Sequence, residues 1–282
     1  MLTDYHLHLR PDEDGTTFDR YFTAENVERY RAAAAEHGIE ELGVSEHVYR
    51  FRQALDLWRH PLWLENANDD LDEYCEFVRG TSLRLGVECD FVPGTEGRTA
   101  AMLDARDFDY VVGSVHFVGE GDAAVDHDGF DVWAAPDASG EEIWTRYFDH
   151  FNRCARSGLF DILAHPDLVK VWGSDRRPLP EGDLRRFYEP AVEAIVEGGS
   201  AVELSTAGLR KPVGELYPAR EFAELVVEAG VPFALSSDAH LPEQIGFRYD
   251  DALAFLDDLG VEEIAVFEGR RRRLEPLGAR VG

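Results

Sequence analysis

Six short segments, far apart in the chain, each carry a histidine or an acid just after an apolar run: Asp4-Tyr5-His6-Leu7-His8, Ser45-Glu46-His47, Gly86-Val87-Glu88, Gly113-Ser114-Val115-His116, Leu163-Ala164-His165-Pro166 and Ser237-Asp238-Ala239-His240. Imidazole nitrogens and carboxylate oxygens are the donors that Zn, Fe and Mn accept. Each ion needs several such donors and no single loop supplies them all, so their repetition at strand ends points to a multinuclear metal centre. Taken alone, the His6-x-His8 pair is weak, because two polar residues in a loop would read the same way. Asp238-x-His240 repeats the spacing near the other end of the chain, which makes coincidence a poor explanation.

The elements that must position these residues follow from periodicity. Short runs rich in Val, Leu, Ile and Phe alternate with amphipathic stretches, the βαβα pattern of a parallel sheet or barrel. Helices are expected over 24–37, 66–79, 140–157, 183–198, 217–229 and 249–258. Thr23 is placed to cap the first, Gly38 to end it, and Gly230-Val231-Pro232 to close the fifth. Strands are expected over 2–5, 41–45, 83–87, 109–114, 160–164, 200–204, 232–236 and 263–267. All six segments then fall at C-terminal strand ends, the face where α/β barrels build their sites. Two irregular stretches, 48–65 with Trp58 and Trp63, and 117–139, each follow a candidate ligand and have the placement of a lid.

Composition narrows the class. The chain of 282 residues fits one α/β barrel, a fold that commonly takes about 250 residues as a single domain. The formal charge of −28, from 56 acidic against 28 basic residues, repels phosphate backbones, so a soluble enzyme acting on a small molecule is expected and a nucleic-acid partner is not. The basic run Arg270 to Arg273 reads as ion pairing on an acidic surface. Lys170 and Lys211 are the only lysines, which codon bias or salt adaptation would each explain. Cys75, Cys89 and Cys154 are widely spaced and support neither a disulfide framework nor a Cys-x-x-Cys site. No basic leader followed by an apolar run and no stretch of roughly 18 apolar residues is present, so a cytoplasmic location and no membrane partner are expected. A homo-oligomer is compatible with all of this.

The ordered set of motifs resembles the PHP (polymerase and histidinol phosphatase) family, metal-dependent phosphoesterases on a distorted (β/α)7 TIM-like barrel. The resemblance covers nearly the whole chain and implies one PHP domain over 1–282. It implies two to three divalent transition-metal ions, Zn, Fe or Mn, in a trinuclear centre. His6, His8, Glu88 and Asp238 would hold the first ion, with Glu88 bridging to a second held by His116 and His165. His47 and His240 would hold a third. Members place a further ligand five or six residues after the second His, before a Gly; here that window reads Asp12-Glu13-Asp14-Gly15. The spacing favours Asp14, with Glu13 the alternative. Glu46 stands either as a support behind a ligand or as a solvated acid.

The stretch Ser205-Thr206-Ala207-Gly208-Leu209-Arg210-Lys211-Pro212, with Glu215 and Tyr217-Pro218, is similar to the histidinol-phosphatase branch. Arg210 follows a strand at the site face and has the fork geometry for phosphate; a surface Arg is the alternative. Lys211 is a weaker candidate of the same kind. The implied reaction is hydrolysis of L-histidinol phosphate to L-histidinol and phosphate in histidine biosynthesis, with a metal-bridging hydroxide as nucleophile. Another small phosphate ester or a nucleotide is the alternative substrate. Glu88, Asp238 and His240 are the candidate catalytic residues, the last two as sources of the leaving-group proton. His37, His60, His127 and His150 lack strand-end placement and are expected outside the site, and Trp58, Trp63 and Trp133 in core or lid packing.

Overall fold

In the computed structural model the described residues are 1–13, 15–118, 123–135 and 138–278. Short parallel strands form two sheets, β1 (Thr3–Asp4), β2 (Glu41–Val44) and β3 (Arg84–Leu85) in one, and β4 (Glu88–Asp90), β5 (Val112–Ser114), β6 (Ile162–Leu163), β7 (Ala201–Ser205) and β8 (Phe233–Ser236) in the other. The sheets join at both seams. Gly86 N–H donates to Val44 O at 2.9 Å and Glu88 N–H to Glu46 O at 3.0 Å, so β3 and β4 are one interrupted course beside β2. At the other seam Tyr5 N–H donates to Leu235 O and His8 N–H to Ala239 O at 2.7 Å. Seven parallel courses therefore close on themselves, a distorted TIM-like barrel.

Helices cover the outside: α1 (Phe18–Tyr21), α2 (Ala24–Glu36), α3 (Pro61–Asn66), α4 (Leu71–Arg79), α5 (Glu96–Asp104), α6 (Gly140–Arg156), α7 (Arg185–Gly198), α8 (Arg220–Glu228) and α9 (Tyr249–Asp258). Thr23 caps α2 by accepting from Asn26 N–H at 3.2 Å. The helix expected over 66–79 starts only at Leu71, because Asp70 accepts from Asp72 and Glu73 N–H and caps α4, while Pro61 begins a separate short helix, α3, within the stretch expected to be irregular. The helix expected from 217 begins at Arg220, since Tyr217 is bound to Ser205 by two backbone hydrogen bonds. Helix α5, with Gly97 in its first turn, is a further element that the sequence pattern did not mark. So is β10 (Arg271–Pro276), antiparallel to β9 (Glu263–Glu268). Arginines of the basic run do make ion pairs, Arg270 just before β10 with Asp161 and Arg273 within it with Glu275. No helix among the described residues is long and apolar enough to cross a membrane.

The barrel has two unlike ends. Side chains alternate across a strand, so Ala201, Glu203 and Ser205 share one face. Ala201, Ala234, Val112 and Ile162 pack with Tyr5, Tyr110 and Phe267 into a small core separate from the one beneath the helices. Gly43 and Gly86 make room for the Tyr110 ring, which a Cβ at either would meet at 2.4 and 2.3 Å. One pleat further along, the same face turns polar with Glu203, Ser236 and Ser114, all buried.

Candidate metal centre

His6 and His8 stand two apart where β1 runs out, so both rings leave the same face of the chain. His6 Nε2 lies 3.3 Å and His8 Nε2 3.7 Å from Glu88 Oε2, and the two rings lie 3.7 and 3.4 Å from Asp238 Oδ1. The other carboxylate oxygen, Glu88 Oε1, faces His116 Nε2 at 3.5 Å and His165 Nε2 at 3.4 Å. His47 Nδ1 reaches Glu88 Oε2 at 2.5 Å, and the His47 and His240 rings stack on opposite sides of His8, centroids 4.1 and 4.2 Å away. Three groups have donor atoms within 4.8 Å of one another: His6, His8, Asp238; His8, His47, His240; and Glu88, His116, His165. His8 thus lies at the junction of two groups.

These atoms fit metal ions better than they fit one another. His6 Nε2, His8 Nε2, His47 Nδ1, Glu88 Oε2 and His240 Nε2 are buried and make no hydrogen bond, although each of the four nitrogens has a carboxylate oxygen 2.5 to 3.4 Å off. A tetrahedral ion with bonds of about 2.0–2.1 Å spaces its ligand atoms roughly 3.3 Å apart, close to most of these separations. The charge balance agrees. Burial opposes ionisation of Glu88 and Asp238, yet the surrounding imidazoles hold both carboxyls well below the usual range. Burial likewise pushes the imidazoles down, but Glu203, Glu88 and Asp238 hold His6 well above its ordinary value. Glu88 and Asp12 raise His47 to about 9, and Asp126 and Asp90 raise His116 to about 10. Cations, whether protons or metal ions, are what this ring of acids selects.

Several residues stand behind the ring, of which only Glu46 was singled out from the sequence. Glu203 accepts from Ser236 Oγ at 2.6 Å, pairs with His6 Nδ1 at 2.7 Å and takes His165 N–H on its second oxygen at 2.5 Å. It therefore aims His6 Nε2 at Glu88 and pins the backbone of His165, which sits at φ +23°. Asp238 is at φ +49°, so both residues hold a conformation that L side chains rarely adopt. Asp90 binds His116 Nδ1 at 2.7 Å. Asp4, buried and pushed up to about 6 by desolvation against the Ser237 hydrogen bonds, ties β1 to the loop after β8. Glu46 is wholly buried: it accepts from Leu9 N–H at 2.7 Å and pairs with Arg50 at 2.6 Å. An acid in the middle of an apolar strand, as at Glu203, is the one signal that would have flagged any of the others.

Asp14 lies outside the described residues, and Glu13 is exposed. Among the described residues, the acid at the His47–His240 edge is Asp12, whose Oδ2 is 2.8 Å from His240 Nε2 and 3.4 Å from His47 Nε2. Arg210 ends a short turn after β7; its Nη2 donates to the carbonyls of Ser237 and Asp238 at 2.7 and 2.9 Å, while its buried Nη1 makes no hydrogen bond. Lys211 is exposed. His37 is the C-cap of α2 and His60 the N-cap of α3. His60, Trp58, Phe117 and Phe130 pack ring against ring, so the two irregular stretches meet beside the site. Trp63 and Trp133 are core residues.

Comparison with known proteins places this geometry in a lineage. A family model for the PHP domain matches residues 16–207. A Deinococcus radiodurans protein named "Probable histidinol-phosphatase" is 33% identical over 290 residues, covering 98% of this chain and 99% of that one. The Lactococcus lactis protein named "Histidinol-phosphatase" is 20% identical over 276 residues, covering 95% of each. A crystal structure of the Lactococcus lactis histidinol phosphate phosphatase, complexed with zinc, L-histidinol and phosphate, superposes with a TM-score of 0.74 at 18% identity, covering 96% of this chain and 98% of that one. With a family model spanning more than half its length and a full-length relative at this identity, the chain belongs to the PHP domain family.

Proposed function

We propose that this protein is a metal-dependent phosphatase that hydrolyses L-histidinol phosphate to L-histidinol and phosphate. The observation that carries the chemistry is Glu88, a buried carboxylate whose two oxygens face two different sets of imidazoles. Full-length similarity to the Deinococcus and Lactococcus proteins supports the substrate. His6, His8, Glu88 and Asp238 would hold one ion, Glu88, His116 and His165 a second, and His47 with His240 belong to a third position. Bound there, divalent ions supply Lewis acidity and lower the pKa of coordinated water towards about 7.

The chain's own residues have separate tasks. Arg210, fixed on one edge by the carbonyls of Ser237 and Asp238 and carrying an unpaired Nη1, is the guanidinium that would offset charge on the phosphoryl group. Asp238, held ionised by its imidazole neighbours, suits metal ligation rather than proton donation. His240 Nδ1 lies 3.2 Å from the Asp238 carbonyl, which turns Nε2 towards the mouth. The net charge of −28 disfavours a polyanionic substrate and leaves a small monoester that the centre itself must attract.

Phosphate release from a panel of monoesters by zinc- or manganese-reconstituted protein is the test. The expected outcome is a kcat/KM for L-histidinol phosphate well above that for sugar phosphates, nucleotides and p-nitrophenyl phosphate. Comparable rates across the panel would assign the chain to a broader phosphoesterase instead.

A further inference from the structure

We infer that Asp12, and not Asp14 or Glu13, supplies the carboxylate of the His47–His240 metal position, and that Arg50 is the positioning residue that sets it there. The inference rests on reading the cluster as a metal centre and is independent of the substrate. Counting along the loop favours residue 14, but the loop's path is decided by contacts from elsewhere. Just past His8, the N–H groups of Leu9 and Arg10 both donate to Glu46 Oε1, at 2.7 and 3.2 Å. The Arg10 carbonyl accepts from Arg50 Nη1 at 2.7 Å. Four residues after His8 the chain is therefore still pinned over the mouth, and Asp12 is the acid it delivers.

Arg50 then fixes the rotamer. Its guanidinium, 3% exposed, gives Nη1 to Glu46 Oε2 at 2.6 Å and Nη2 to Asp12 Oδ1. With Oδ1 tied, Oδ2 points to His240 Nε2 at 2.8 Å and His47 Nε2 at 3.4 Å. His240 Nε2 makes no hydrogen bond even at 2.8 Å, the same signature that Glu88 and its imidazoles show. Two ring nitrogens and a carboxylate oxygen converging in this way form a site for a divalent cation with imidazole and oxygen ligands. His47 and Arg50 sit on one turn, the 3-10 turn Val48–Arg50 directly after His47, so the imidazole and the clamp for its acidic partner move together.

Equilibrium dialysis against zinc alone, with metal counted per chain, tests this without any substrate. Asp12 is 46% exposed at its side chain and Asn keeps its size and an acceptor oxygen for Arg50, so Asp12→Asn should still fold, as circular dichroism after chelation would show. It should bind one ion fewer per chain, or bind its last ion roughly 10–100-fold more weakly. Glu13→Gln and Asp14→Asn should match the unsubstituted protein. Arg50→Lys keeps a charge beside buried Glu46 but cannot fork to both acids; it should weaken the last ion alone, leaving the tighter ions and the cobalt(II) absorption of their sites unchanged. Full zinc content and affinity in Asp12→Asn, or loss of an ion in Asp14→Asn or Glu13→Gln, overturns the ligand assignment. Unchanged last-ion affinity in Arg50→Lys overturns the positioning role. Turnover of L-histidinol phosphate by the unsubstituted protein is read separately, so failure there leaves the metal result standing.

Discussion

The two halves of the ligand ring are built differently. In the deep half His6, His8, Glu88 and His165 are 0–3% exposed; Glu88 opens β4, the others follow β1 and β6 within two to four residues, and Glu203 on β7 backs them. In the outer half His240 is 22% and Asp12 46% exposed at the side chain, both on loops, and one guanidinium reaching across from another turn holds the acid. Strand backbones fix a donor with little loss of side-chain freedom on binding, whereas a loop carboxylate depends on its clamp. Depth should therefore set a hierarchy, with tightly held ions below and a more exchangeable one at the rim.

The largest effect should come from the residue that joins the deep groups. Glu88→Gln removes one ligand from two ions at once and leaves the imidazoles without their shared counter-charge. Turnover should fall by more than the roughly 10–100-fold typical of a supporting residue, with both deep ions lost on dialysis. Retention of either ion at full affinity would show that Glu88 is no bridge.

Glu203→Gln sharpens the comparison one layer back. It should weaken deep-ion affinity by roughly 10–100-fold while leaving the rim ion alone, because it frees His6 and the His165 backbone together. Asp90→Asn touches His116 alone and should have a smaller effect confined to one ion. If both variants bind zinc as tightly as the parent, the strands alone orient the deep half.

Smallest is a pH effect on chelator-stripped protein. His47 at about 9 and His116 at about 10 lie above the ordinary 6.5, so their pairing stabilises the fold fully below pH 6.5 and less as pH rises through 9 to 10. The melting temperature of stripped protein should fall across that window. In the same window zinc-loaded protein should hold its melting temperature, since ligation needs neutral imidazoles. A flat stripped-protein curve would mean that these histidines are not protonated by their carboxylates.

Much of this was legible because strand-end residues have nowhere else to go. An imidazole or carboxylate one or two residues past a buried apolar run faces the barrel mouth, which is why His6, His47, Glu88, His116, His165 and Asp238 could be picked out by position alone. The supporting acids were only partly legible: Glu46 stood out beside His47 and Glu203 could be flagged by its apolar strand, whereas Asp90 differs from a solvated acid only in what lies across the barrel. Asp12 illustrates the remaining gap. Spacing along a loop says where the chain could go, and in the assignment inferred above the contact that places Asp12 comes from Arg50, 38 residues away. In the fold, the parallel courses followed from apolar periodicity, whereas the arginine-rich strand β10 was hidden by its charge and owes its pairing to β9.

The seam between β1 and β8 has a consequence for how the molecule comes into being. Asp4 and Ser237, hydrogen-bonded at that seam, are 233 residues apart, and His6 and His8 meet Asp238 only once the seam has closed. So distant a contact is among the slowest that a chain makes, because the whole intervening loop must be ordered first. A growing chain on the ribosome therefore carries its first two imidazoles for nearly the entire time of synthesis without the carboxylate that completes their site. Capture of an ion by His6, His8 and Asp238 would then be a late event, timed by the emergence of β8, whereas Glu88, His116 and His165 are all made before it.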